Sequence, residues 1–182
     1  MAGDGAPALQ CQAVPEPVGG ASAPSAKLWD MRKHLRRLEH VWVDRQIYLV
    51  TVCSHSRRPV LATDALAAEL ANALREVSRR SRWRGGRYVV MPDHIHFFCC
   101  PAPDAERLSD FVRRWKTWTT RRAWRLGHSG RLWQAEFFDH LLRHDESYAP
   151  KWDYVAHNPV RAGLCQTPEQ WAYQGEITPL EL

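Results

Sequence analysis

The sequence predicts an α+β fold, on three observations. Apolar residues at period two alternate with stretches at period 3.6, in the order β-α-β-β-α-β-α. Two neighbouring strand-like runs are joined by a tight turn at Pro92-Asp93. The 182 residues suffice for one sizeable core but not comfortably for two. This order implies a single domain of ferredoxin-like (RRM-like) type, an antiparallel sheet with helices packed on one face.

Taken along the chain, residues 1–26 are rich in Ala, Gly and Pro, with almost no large apolar side chain after Leu9. Such a segment buries too little surface to offset its ordering entropy, so it reads as a disordered tail. Residues 27–40 are basic, with Leu28, Met31, Leu35 and Leu38 near helical spacing, and fit either a short helix or an arm along a polyanion. QIYLVTVC, residues 46–53, is apolar and β-branched and reads as a buried strand. A helix capped by Thr63 or Asp64 follows, with Leu66, Leu70, Ala73, Leu74 and Val77 as its apolar stripe. Gly85-Gly86 punctuates its end. Residues 87–91 and 94–100 then form two strands, the second stopped by Pro101 and Pro103. A helix over 105–125 carries Leu108, Phe111, Val112, Trp115 and Trp118 on one side. After a loop at 127–130, residues 137–142 return as a strand and 147–157 form a shorter helix.

Composition narrows the partner. Residues 1–26 hold Asp4 and Glu16 but no Lys or Arg, so the rest carries 25 basic against 18 acidic residues, a formal +7. A basic domain favours a polyanion. Five cysteines, none in a CxxC pair, resemble neither a disulfide framework nor a zinc ribbon. No apolar run is long enough to span a membrane and no signal-peptide pattern opens the chain, so a reducing cytoplasm is expected.

Two segments carry chemistry. In VVMPDHIHFFCC, strand alternation turns His94 and His96 to one face, where two imidazoles can grip one divalent cation. Cys100 shares their phase, but its Cα would lie ~13 Å from that of His96, too far for one shared zinc ion. In KWDYVAHNPVRAGL, Tyr154 stands one helical turn before Asn158, so a phenol and an amide can approach the same ion. Asn158-Pro159 also reads as an N-cap followed by the first residue of a short turn closed by Gly163, and the sequence leaves both readings open. Pro150 is compatible with the Tyr154 helix only in its first turn. Tyr148, six residues earlier and about 600° of helical rotation away, should face elsewhere.

VVMPDHIHFFC, GRLWQAEFFDHLLRHDESY and YVAHNPVRAGL, in that order, resemble the REP-associated tyrosine transposases of the HUH superfamily, over roughly residues 38–164. The resemblance makes residues 27–182 a transposase-like catalytic domain ending in a tyrosine helix. It implies that His94, His96 and Asn158 bind Mg²⁺ or Mn²⁺, and that Tyr154 is the nucleophile that forms a 5′-phosphotyrosine. The implied substrate is single-stranded DNA beside palindromic hairpin repeats, cleaved and rejoined without ATP. Monomer and homodimer both stay open, and Glu136, Asp139 and His140 take no assigned role.

Arg113, Arg114, Lys116, Arg121, Arg122 and Arg125 share one helix with no acidic residue between them, which suits phosphate contact, with Trp118 or Trp124 as stacking faces. They equally suit a solvated polar face. Three rival functions are a hairpin-binding protein that no longer cleaves, an RRM-like RNA-binding module, and a two-motif H-x-Ser/Thr phosphoesterase. The second would want aromatics where this chain has histidines. The third needs motifs absent from the sequence.

Overall fold

The run QIYLVTVC is apolar at nearly every position because the strand it forms is covered on both sides. In the computed structural model, which describes residues 46–142 and 148–180, this strand is β1, Ile47–Cys53. Val50 and Val52 are buried toward one face, while Ile47 and Leu49 pack toward the other. The helix α1, Asp64–Ser81, starts at Thr63, whose side chain accepts a hydrogen bond from the Leu66 amide, so Thr63 and not Asp64 is the cap. β2 (Trp83–Val90), β3 (His94–Pro101), α2 (Leu108–Arg125), β4 (Phe138–Leu142), α3 (Tyr148–Ala156), α4 (Asn158–Arg161) and β5 (Gln174–Glu176) follow. The described residues lie in one unit, Trp42–Leu182. The tail 1–26 and the basic segment 27–40 fall outside them. No helix among the described residues is long and apolar enough to cross a membrane.

The five strands form one sheet in the order β4-β1-β3-β2-β5, every pair antiparallel. The ferredoxin-like expectation holds, with β5 added at the β2 edge. β5 is short and polar, which left it no legible period; it is tied to β2 by the Arg87–Glu176 ion pair at 3.3 Å as well as by its ladder.

α1 and α2 cover the face that carries Val50, Val52, Val90, Ile95 and Phe97. Trp115 lies at the centre of this core. It packs on Phe97 and Trp133, and its indole N–H donates to the Leu70 carbonyl of α1. The opposite face carries Ile47, Val89, Phe98 and Cys100, and part of it is covered by α3 through Tyr148 and Val155. Helices therefore occupy both faces rather than one. A sheet with apolar residues on both sides requires cover on both.

Gly85-Gly86 does not end the helical region but lies inside β2, at a register shift between Gly85 and Tyr88. A Cβ on Gly85 would stand 2.9 Å from Ser78 Oγ and 3.2 Å from Leu74 Cγ; one on Gly86 would meet Leu180 at 2.5 Å. Neighbours close on this strand from both sides, and only glycine leaves them room. α2 begins at Leu108, three residues later than the spacing suggests, and the Glu106 carbonyl just before it accepts from the Trp83 indole.

Gly85→Ala should destabilise the protein by about 1–3 kcal/mol, the usual cost of overpacking. Chemical denaturation would measure it, with a lower midpoint at unchanged slope. An unchanged midpoint would mean that α1 shifts aside without strain.

Candidate active site

Residues opposite one another in antiparallel strands project to the same side of the sheet. β3 lies between β1 and β2, with His96 opposite Thr51 and His94 opposite Cys53. Ile95 and Phe97, fully buried beneath α1 and α2, fix this phase, so both histidines emerge on the face that α3 only partly covers. Phe138, paired with Thr51, and His140, paired with Leu49, project to the same side from β4; Asp139 projects to the other.

Each histidine is held at Nδ1. The Asp93 carboxylate accepts from His94 Nδ1 at 2.6 Å, and Thr51 Oγ1 lies 2.8 Å from His96 Nδ1. The two Nε2 atoms then face each other 3.1 Å apart. With its Nδ1 proton committed to Asp93, His94 presents a lone pair at Nε2. His96 either donates its Nε2–H to that lone pair or, with its proton on Nδ1, presents a second one. The Thr51 hydroxyl serves both tautomers, since it can donate or accept. Burial, then the neighbouring His94, Arg57 and Arg161, push the His96 imidazole down to about 3. Burial also lowers His94, against the opposing pull of Asp93. Both rings are therefore neutral at physiological pH, the state that ligates metal.

A loop with two consecutive left-handed residues, Ser56 (φ 57°) and Arg57 (φ 56°), supports this pair. Non-glycine residues in that region store strain that the surroundings must offset. Here the Arg57 Nε pairs with Asp93 Oδ2 at 3.0 Å and its Nη1 donates to Cys53 Sγ at 2.8 Å. Arg57 thereby holds Asp93, and Asp93 holds His94.

Two neutral imidazoles converging at Nε2 could hold one divalent cation. Their 3.1 Å separation matches the ~3 Å edge between adjacent ligands of an octahedral ion with bonds of ~2.1 Å. Among the described residues no third His, Cys, Asp or Glu joins them, and Cys100 lies buried in the cluster under α3.

α3 orients the tyrosine. Tyr148, Val155 and Ala156 face the sheet, and Tyr148 meets Phe98 edge to face at 4.9 Å. Tyr154 lies off that stripe and is 61% exposed. Pro150 falls in the first turn, where its missing N–H costs nothing. The helical hydrogen bonding is interrupted after His157, because Pro159 has no N–H to bond back to Val155, while His157 itself stays helical at φ −80° and ψ 0°. Asn158 is not a cap. His157 takes that position, and Asn158 is the first residue of α4, with its Oδ1 accepting from Arg161 Nη2 at 2.6 Å. The same Nη2 donates to the Tyr154 carbonyl at 2.6 Å, and the guanidinium lies 4.1 Å from the Tyr154 ring centre. Arg161 thus joins Tyr154 to Asn158, and its charge reaches His96.

The basic residues of α2 are not brought to this site. α2 packs behind the sheet, on the face opposite the histidines. Arg113 pairs with Asp110, Arg114 with Glu106 through two hydrogen bonds, and Arg122 with Glu69 of α1. Lys116 reaches round the sheet edge and donates to the carbonyls of Gln134 (2.7 Å), Ala135 (2.9 Å) and Glu136 (3.4 Å). Arg121 and Arg125 are exposed. Of the two tryptophans whose spacing suits stacking, Trp118 lies under Arg80, and Trp124 is 54% exposed with its indole N–H on the Gly130 carbonyl. Asp93, Thr51, Arg57 and Arg161 are site residues that sequence reading missed. Asp93, directly before H-x-H, was the one with a local signal.

Comparison with known proteins gives a consistent picture. Residues 27–147 match the family model described as IS200-like transposase. The REP-associated tyrosine transposase of Escherichia coli K12 is 28% identical over 127 residues, 69% of this chain and 73% of that protein. A Haemophilus influenzae protein provisionally given the same designation is 25% identical over 138 residues, 70% of this chain and 77% of its own. A solved REP-associated tyrosine transposase bound to a REP hairpin shares the fold, with a TM-score of 0.63 and 24% identity over 77% of this chain and 82% of that one.

Lys116→Ala should remove the clamp on residues 134–136 and cost about 1–3 kcal/mol, because three carbonyls lose a charged donor. The Gln134 amide, which bonds to the Cys53 carbonyl, should exchange its hydrogen faster. Unchanged exchange there would show that the segment is held by Trp133 alone.

Proposed function

Because the chain belongs to the IS200-like transposase family and resembles the REP-associated tyrosine transposases in its motifs and relatives, we propose that it is a metal-dependent endonuclease and strand transferase. Its substrate is single-stranded DNA beside palindromic hairpin repeats, and its nucleophile is Tyr154. The observation that carries this reading is the convergence of the His94 and His96 Nε2 atoms, 3.1 Å apart, on the sheet face that α3 partly covers, with Tyr154 exposed on that helix.

His94 and His96 would hold the ion through Nε2, and Asn158 Oδ1, which keeps a second lone pair beside the one facing Arg161, would complete the set. A Mg²⁺ or Mn²⁺ ion there supplies Lewis-acid stabilisation of charge on phosphate oxygens. Asp93 and Thr51 keep the imidazoles oriented, as partners of ligating histidines do elsewhere. The exposed Tyr154 hydroxyl attacks phosphorus. The Tyr154 Oη–P bond forms as the P–O3′ bond breaks. The phenolic proton passes to water, and the departing O3′ takes one up. The 5′-phosphate stays on Tyr154, and attack by a 3′-hydroxyl reverses the step, so rejoining needs no ATP. Hairpin recognition follows the relative whose structure holds a REP hairpin. Within the basic set of α2, Arg121 and Arg125 are the residues best placed for phosphate contact, since the other four are engaged within the protein.

With Mn²⁺ or Mg²⁺, a hairpin-flanked single strand labelled at its 3′ end should yield a labelled protein adduct that maps to Tyr154. Tyr154→Phe keeps the ring and should abolish the adduct while leaving hairpin binding intact. Cleavage without any covalent species would make water the nucleophile and overturn the reading. Hairpin binding without cleavage would favour a protein that has lost its nuclease activity.

His94→Ala and His96→Ala should each lower cleavage by about 10³-fold or more while hairpin affinity changes little, since the ion acts chiefly on the transition state. Thr51→Val and Asp93→Asn should weaken Mn²⁺ binding by about 10- to 100-fold, the usual effect of losing a ligand's hydrogen-bond partner. Calorimetric titration with Mn²⁺ checks both. Native-like Mn²⁺ affinity in the His96→Ala protein would sink the metal assignment.

A further inference from the structure

The segment NPVRAGL holds a charged residue that the metal-and-tyrosine scheme leaves unused. Arg161 stands three residues after Asn158 and seven after Tyr154 on a nearly continuous helical path, so the three side chains rise on one side. Its guanidinium is fixed at one end only. Nη2 donates to the Tyr154 carbonyl and to Asn158 Oδ1, both at 2.6 Å, which uses both Nη2 hydrogens. The Nε hydrogen and both Nη1 hydrogens have no partner among the described residues, and the residue is exposed. The planar group sits 4.1 Å from the Tyr154 ring centre, and its charge bears on His96.

That placement puts a cation against the nucleophile's ring and within electrostatic reach of His96. A phosphodiester attacked by Tyr154 has to enter the same space, and a guanidinium fork matches its non-bridging oxygens with parallel N–H donors. The other arginine near the histidines, Arg57, is committed to Asp93 and Cys53. We propose that Arg161 is a catalytic residue that grips the non-bridging oxygens of the scissile phosphate through Nε and Nη1 and stabilises the charge that grows there as Tyr154 attacks. This rests on the tyrosine reading above. The bonds made and broken are those of that step, Oη–P formed and P–O3′ cleaved, and Arg161 itself neither gains nor loses a proton.

The test compares single-turnover cleavage of a natural phosphodiester with that of a methylphosphonate at the scissile position, where a methyl group replaces one charged oxygen. On the natural substrate, Arg161→Ala should slow adduct formation by about 10²- to 10³-fold, the usual effect of losing one oriented donor. On the methylphosphonate, variant and wild type should differ little, because less charge develops. Added guanidinium should restore part of the Arg161→Ala rate. Arg161→Lys, which keeps the cation without the fork, should fall between, and it carries the same test if the alanine variant does not fold. An equal loss on both substrates with no guanidinium rescue would make Arg161 a structural support and overturn the proposal. A native rate for Arg161→Ala would overturn it as well, while leaving Tyr154 as the nucleophile. Absence of a Tyr154 adduct in the wild type would instead overturn the tyrosine reading, and this proposal with it.

Discussion

The register of β3 between β1 and β2 constrains everything else in this molecule. Side chains alternate along a strand, so a slip of one residue would send His94 and His96 into the helix-covered core and turn Ile95 and Phe97 out to the open face. Ile95 and Phe97 are fully buried, and burying each is worth about 1.5–3 kcal/mol. That gain holds the pairing, and the pairing sets Thr51 opposite His96 and Cys53 opposite His94. The site geometry is thus secured by packing on the far side of the sheet, where no chemistry takes place.

The same sheet has to satisfy two unlike faces. One is closed by two long helices and three large aromatic side chains, Trp83, Phe111 and Trp115. The other is half closed, by the short α3 through Tyr148 and Val155. The open half is where the imidazoles emerge, and the helical segment from α3 to α4 carries the exposed phenol with Arg161 against its ring. α3 does two jobs through opposite sides of one helix. Tyr148 anchors it against Phe98, and Tyr154 points away from the core. Pro159 interrupts the helical hydrogen bonding within a turn of Tyr154, yet His157 keeps helical geometry, and Arg161 reaches back to the Tyr154 carbonyl.

Charge follows the same economy. Most of the basic residues of α2 are neutralised by acidic neighbours or by backbone carbonyls, so a run of cations in the sequence does not become a binding stripe. On the histidine side Arg57 and His94 share the Asp93 carboxylate, and Arg161 adds a second cation whose charge reaches His96. Positive charge is left beside the histidines, as a polyanionic substrate requires.

What the amino-acid sequence determined on its own were the features written within one turn or one strand period. A cap at Thr63 or Asp64, the stripes of α1 and α2, the shared face of His94 and His96, and the Tyr154 helix with Pro150 in its first turn all follow from local spacing. The order of strands and helices was also legible, because βαββαβ has few unstrained closures. Only the tertiary structure decided the rest. Thr51 meets His96 across 45 residues of chain, and α3 crosses to the sheet face left uncovered by α1 and α2. Gly85 and Gly86 became strand residues because α1 and Leu180 press on them, and Lys116 turned to three carbonyls that no spacing rule connects to it. Asn158 lost the capping role its neighbours suggested, since the Pro159 kink carries the helical path through His157 and presents Arg161 as its partner. Local periodicity determines which way a side chain points from its own element; which groups it meets there is set by packing between elements distant in sequence.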